Sequence, residues 1–173
     1  LVIGAAVTGI PTAIELYNMG CNVTLNDFKP LSELEESVQN LNNMPIEIIT
    51  GGHPLELAVN CDFIVISPGV PSDIPLVKEA RKMGKEVISE IELAYRLTQT
   101  PIAAITGTNG KTTTTALLGE IMKTSGRKTF VTGNIGSPMI EKVKNAGPED
   151  VFVLEASSFQ LETTRDFKPE VSA

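Results

Sequence analysis

The sequence predicts an α/β fold with parallel sheets in two consecutive units, and three observations support this. Short β-branched runs alternate with longer amphipathic stretches along all 173 residues, the pattern of repeated strand, helix, strand units. A glycine-rich loop follows an apolar run twice, once from Gly4 to Gly9 and again from Gly107 to Gly110. Between them, Thr98-Gln99-Thr100-Pro101 breaks the helical pattern with a polar stretch closed by proline.

Taken in order, the first unit offers strands at Leu1–Ile3, Asn22–Asn26, Ile46–Thr50, Phe63–Ser67 and Glu86–Ile88. Helices are expected near Pro11–Met19, Leu31–Leu41, Ile74–Lys82 and Glu90–Leu97. Gly20 and Gly84 follow apolar-periodic segments, where a helix needs a left-handed cap, and Pro11 suits a first helical turn. The domain boundary is expected after Leu97, giving units 1–97 and 98–173. The second unit then reads as strand Ile102–Thr106, glycine loop, helix Lys111–Ser125, strand Lys128–Thr132, helix Pro138–Asn145 and strand Val151–Ala156. Near the end, Pro169-Glu170-Val171 leads toward another strand, and the chain opens inside an apolar run without Met, so it reads as a fragment.

Composition narrows the class. Hydrophobic residues at 42% with 20% charged residues describe a chain that buries a core. A net charge of -7 disfavours a general nucleic-acid or anionic-membrane surface, so any phosphate must be held locally. No apolar run approaches bilayer length and no leader pattern is present, so a cytoplasmic protein is expected. Cys21 and Cys61 have neither metal-ligand spacing nor a histidine cluster and read as buried free thiols. The single histidine, His53, lies in the turn-rich Gly51-Gly52-His53-Pro54 and reads as a structural loop residue.

Thr106-Gly107-Thr108-Asn109-Gly110-Lys111-Thr112-Thr113 links a strand to a helix, the setting in which backbone N–H groups cradle phosphate oxygens. Lys111 would reach the β- and γ-phosphates, and the Thr112 hydroxyl is placed for magnesium, which points to ATP. In the usual phosphate-loop spacing the first glycine would fall at Ile105; here it is Gly107, so the loop is tighter. Glu155 ends the apolar strand Val151–Leu154 at an edge where α/β sites collect. By position alone, magnesium binding and a solvated carboxylate are equally open for it. Asn134, in Gly133-Asn134-Ile135-Gly136-Ser137-Pro138, would point into the same crevice, although any strand-to-helix turn uses this composition.

The first loop, Gly4-Ala5-Ala6-Val7-Thr8-Gly9, resembles a dinucleotide fingerprint, with Asp27 where a ribose-reading acid would lie. A Rossmann-like nucleotide site follows. Ala6 stands where the central glycine permits close approach of a pyrophosphate, which disfavours NAD and an oxidoreductase. Ser67-Pro68-Gly69 ends another strand on that edge, either adding donors to the ligand or simply shaping a loop.

Together, Thr106–Thr113, Gly133-Asn134-Ile135-Gly136 and Glu155-Ala156-Ser157-Ser158-Phe159-Gln160-Leu161 resemble the Mur ligase family, and the likeness spans the whole chain. The Gly107–Thr112 block is shared with folylpolyglutamate synthases. The Ser157–Leu161 block, Ser67-Pro68-Gly69 and Gly52–Leu57 are similar to the branch that adds D-glutamate, and the L-alanine-adding branch is the alternative. The resemblance implies a Rossmann-like domain for a UDP substrate followed by part of a phosphate-loop ATP-binding central domain. It implies that UDP-N-acetylmuramoyl-L-alanine is bound by Val7, Thr8, Asp27, Phe28, Lys29, Ser67, Pro68 and Gly69. It implies ATP on Gly107, Thr108, Asn109, Gly110, Lys111, Thr112 and Thr113, magnesium on Thr112 and Glu155, Lys111 and Asn134 at the reacting groups, and a monomer. Ala6 departs from the family's common glycine, and Phe28 stands where a small polar residue is expected. The family's later histidine, carbamylated lysine and third domain are not among these residues, so the piece should bind better than it catalyses.

Overall fold

The computed structural model describes residues Leu1–Ala173 and divides into two compact units, Leu1–Glu90 and Ile91–Ala173. In the first unit the elements run β1 (Val2–Ile3), α1 (Gly9–Asn18), β2 (Thr24–Asp27), α2 (Glu35–Val38), β3 (Glu47–Thr50), α3 (Glu56–Val59), β4 (Phe63–Ile66), α4 (Pro75–Lys82) and β5 (Glu86–Ser89). Their strands form one parallel sheet in the order β3-β2-β1-β4-β5. The chain winds outward in one direction through β2 and β3 and in the other through β4 and β5. Loops after β1 and β4 therefore diverge at a switch point, where open α/β sheets bind ligands. Ile3, Ile64 and Ile66 pack with Leu57 and Ala58 of α3 and with Leu76, Val77 and Ala80 of α4. Parallel strands buried in this way read as continuous apolar runs, which is why Phe63–Ile66 was legible.

The second unit comprises α5 (Glu90–Leu97, starting one residue before the division), β6 (Ile102–Ile105), α6 (Lys111–Thr124), β7 (Thr129–Gly133), β8 (Val151–Glu155), α7 (Ser158–Leu161) and β9 (Val171–Ser172). Its sheet is parallel, in the order β7-β8-β6-β9. Every residue of β8 is buried. No helix is long and apolar enough to cross a membrane.

Three expectations differ from this fold. The division falls after Glu90, the first residue of α5, instead of after Leu97. Glu92 of α5 has no exposed side-chain surface and accepts hydrogen bonds from the backbone N–H groups of Arg165 (2.8 Å), Asp166 (3.1 Å) and Phe167 (3.0 Å). Tyr95 meets Phe167 edge to face at 5.6 Å, so α5 packs with the second unit. The expected helix over 31–41 is one α-helical turn between two 3₁₀ turns, Leu31–Glu33 and Gln39–Leu41. Its stripe of Leu34, Val38 and Leu41 is buried as the spacing implies. With no side-chain cap at any of these turns, the backbone tightens to i→i+3 bonds such as Leu34 N–H to Leu31 O. The expected helix over 138–145 is likewise two 3₁₀ turns, Met139–Glu141 and Val143–Asn145, which still bury Met139 and Ile140.

Candidate functional site

In the second unit the register brings three strand ends together: Ile105 of β6 and Gly133 of β7 both lie beside Glu155 of β8. The phosphate-type loop, Glu155 and Asn134 thus share one sheet edge. Gly107 (φ +134°) and Gly110 (φ +78°) take left-handed backbone that a side chain would strain, and Gly110 sits at the N-cap of α6. No side chain caps that helix, so its first N–H groups are available to an anion. Thr108, Asn109, Thr112 and Thr113 are exposed, and the Lys111 ammonium donates to Gly107 O at 2.7 Å.

Glu155 is only 4% exposed, and its Oε2 has no hydrogen-bond partner. A buried carboxylate oxygen without a partner carries a desolvation penalty of several kcal/mol unless a cation or donor meets it. The Glu155 carbonyl accepts the Asn134 N–H at 3.0 Å, which leaves the Asn134 side chain exposed on the same edge. Contact this tight requires Gly133, because a Cβ there would lie 2.1 Å from Glu155 O. Below the edge, Ser157 and Gln160 form a reciprocal capping box that starts α7 and buries Gln160.

In the first unit, Gly9 allows the loop after β1 to fold tightly, since a Cβ there would lie 1.7 Å from Gly4 O. Val7 is 75% exposed and Phe28 71% exposed; Lys29 and Gly69 are also exposed, with Thr8 and Pro68 half-buried. Asp27 is engaged differently from a free ribose-reading acid. Its Oδ2 accepts the Ala5 N–H at 2.6 Å and its Oδ1 the Lys29 N–H at 2.8 Å, so the carboxylate joins the two loops. Ser67 is buried and its hydroxyl donates to Gly4 O at 3.1 Å, so that group ties β4 to the first loop. No group of three or more His, Cys, Asp or Glu side chains is gathered for a metal.

Sequence reasoning left out Asn26 and gave His53 only a loop role. Asn26 is fully buried, and its Nδ2 donates to Ile49 O (2.9 Å) and Gly52 O (2.8 Å) while its Oδ1 meets His53 Nδ1 at 2.6 Å. Burial pushes the His53 pKa down, against a smaller upward pull from Asp27. The available signal was a polar residue at a buried strand position, which is favourable only when its hydrogen bonds are met.

Comparison with known proteins agrees with this architecture. A protein of Alkaliphilus oremlandii named UDP-N-acetylmuramoylalanine–D-glutamate ligase is 55% identical over 100% of this chain and 38% of its own length. A protein of the same name from Alkaliphilus metalliredigens is 50% identical over 99% of the chain and 38% of its own length. The chain therefore spans about 38% of these relatives. Among solved structures, the UDP-N-acetylmuramate:L-alanyl-gamma-D-glutamyl-meso-diaminopimelate ligase of Neisseria meningitides matches with a TM-score of 0.58. That match has 19% identity over 99% of this chain and 58% of the other, and it speaks to the fold alone. Residues 1–89 match the Mur ligase MurD-like N-terminal domain and residues 105–172 the Mur ligase middle domain, so the chain belongs to the Mur ligase family.

Proposed function

We propose that this protein is an ATP-dependent ligase that joins D-glutamate to UDP-N-acetylmuramoyl-L-alanine, a step in peptidoglycan precursor synthesis. The names of its relatives at 55% and 50% identity support the substrate pair. The observation that carries the chemistry is Glu155, a buried carboxylate with one unpartnered oxygen beside the strand that feeds the phosphate loop.

The donor set suits magnesium, which commonly takes one or two carboxylates and fills its remaining positions with hydroxyl, phosphate and water oxygens. Glu155 and the Thr112 hydroxyl would hold it, and when bound it supplies positive charge to the phosphate oxygens. The N–H groups of Gly107–Thr113 would cradle the ATP phosphates, with the Lys111 ammonium turning from Gly107 O onto the transferring group. Preorganised positive charge here stabilises the negative charge spread over the moving phosphoryl oxygens. The L-alanyl carboxylate takes the phosphoryl group, the D-glutamate amine attacks that acyl phosphate, and phosphate leaves as the amide forms. Asn134, on the same edge, would orient the acceptor.

In the first unit, Val7, Thr8, Phe28, Lys29, Pro68 and Gly69 would line the UDP site, with Asp27 and Ser67 setting the loops that carry them. Phosphate release by the full-length protein, with UDP-N-acetylmuramoyl-L-alanine and with or without D-glutamate, tests the assignment. We expect turnover that requires D-glutamate and falls by about 100- to 1000-fold in Lys111→Ala. Turnover with UDP-N-acetylmuramate and L-alanine instead would move the assignment to the L-alanine-adding branch.

A further inference from the structure

We propose that the contact between Gly119 of α6 and Val131 of β7 is the spacer that sets the height of Thr112 over Glu155, which makes Gly119 and Val131 positioning residues for the ATP site. The proposal rests on the reading that Thr112 and Glu155 share one magnesium ion. Magnesium demands near-ideal octahedral geometry at about 2.0–2.1 Å, so the separation of its two protein ligands has to be set closely. Those ligands stand on different elements, Thr112 in the first turn of α6 and Glu155 at the end of β8. Something must fix one element against the other.

Gly119 is buried in the interior of a 14-residue helix, where glycine is a poorer helix former than alanine. Its use lies in what it packs against. A Cβ at Gly119 would lie 2.5 Å from Val131 Cγ2, whereas two carbons rest at about 3.5 Å. Val131 has little room to retreat. Its branched side chain is stiff at χ1, and β7 is paired with β8 from Thr129 to Gly133. Its carbonyl is closed in by the loop after the strand, where a Cβ at Gly136 would lie 2.6 Å from Val131 O. The outer side of α6 carries the exposed Leu117 and Ile121, so the helix is the partner that a larger residue would lift. Thr112 and Gly119 stand about two turns apart on one side of that helix. Thr115, between them, is buried and donates its hydroxyl to Lys111 O at 2.8 Å. A lift at Gly119 is therefore carried to Lys111 and Thr112. Glu155 stays with the sheet, because its neighbour Gly133 belongs to the same strand as Val131.

Calorimetric titration of the full-length protein with ATP, in magnesium and in calcium, tests the spacer; a thermal midpoint and a UDP titration report folding. Gly119→Ala should weaken ATP about 10- to 100-fold in magnesium, the usual effect of disturbing the groups behind a metal ligand. The loss should be smaller in calcium, which accepts about 6–8 oxygens in a more flexible geometry. UDP should bind as before. In Gly119→Ala/Val131→Ala the clashing methyl is gone, and the next Val131 atom, Cβ, lies at 3.9 Å, an ordinary contact. Magnesium-dependent ATP affinity should then return toward that of the unaltered protein, and this rescue decides the case even where Gly119→Ala alone does not fold. Unchanged ATP affinity in Gly119→Ala, an equal loss in both ions, or no recovery in the double variant overturns the spacer. If the unaltered protein binds ATP no better with magnesium than without a divalent ion, the magnesium reading itself falls.

Discussion

Glu92 shows how a single side chain can join distant stretches of chain. Burial alone pushes its pKa up, but the backbone N–H groups of Arg165 and Asp166, the Arg96 guanidinium and the Phe167 N–H together hold it below the ordinary value of 4.5. A carboxyl whose pKa is lower in the folded than in the unfolded chain contributes its full stability above the unfolded value. That contribution is lost as pH falls through the folded one. Urea midpoints measured from pH 7 down to pH 3 should therefore fall below about pH 4.5 more steeply for the native protein than for Glu92→Gln. At pH 7 the variant, left with N–H groups facing an amide, should be less stable by about 1–3 kcal/mol. None of this was legible locally, because Arg165 lies 73 residues from Glu92 in the chain. Lys111, Thr112 and Asn134 were singled out as candidates because each lies in, or directly after, a short loop that follows a strand.

Among the elements, strands were read most faithfully, since β4 and β8 are apolar runs whose burial is complete or nearly so. Short helices were read least well. Residues 138–145 carry a helical apolar pattern but settle as 3₁₀ turns, and α3 and α7, four residues each, are too short to show a period. The β7-to-β8 contact depends on one residue. A methyl group at Gly133 would overlap Glu155 O, and its φ of +104° is strained for any L side chain. Gly133→Ala should destabilise the protein by about 2–4 kcal/mol, read as a lowered thermal midpoint. It should also raise the ATP KM, since Glu155 would shift with the strand. Gly20→Ala, whose added Cβ meets nothing within 4 Å, should pay only for the left-handed backbone and is the matched control.

For the molecule as a whole, two sheets and two cores were legible from the alternation of runs. The place of division was not, because α5 carries a helix pattern that fits either neighbour and is decided by Glu92. Each unit has its own core, and the two proposed ligands fall on different units. UDP at 100 times its Kd should therefore stabilise the first unit by about 2.7 kcal/mol, and MgATP should do the same for the second. Hydrogen exchange resolved by peptide should show each ligand slowing its own unit; if each slowed both equally, the allotment of sites would be wrong.

β8 is buried at every residue and bordered on both sides, by β6 and β7, so it belongs to the stiffest part of its unit. Its last residue is Glu155, whereas Lys111 is the first residue of α6, directly after the exposed stretch 106–110. The two charges of the proposed phosphate site are therefore mounted unlike one another. On the proposed function the anion would act as a stator, fixed to the frame before anything arrives, and the cation, on its longer side chain, as the contact that turns toward the ligand.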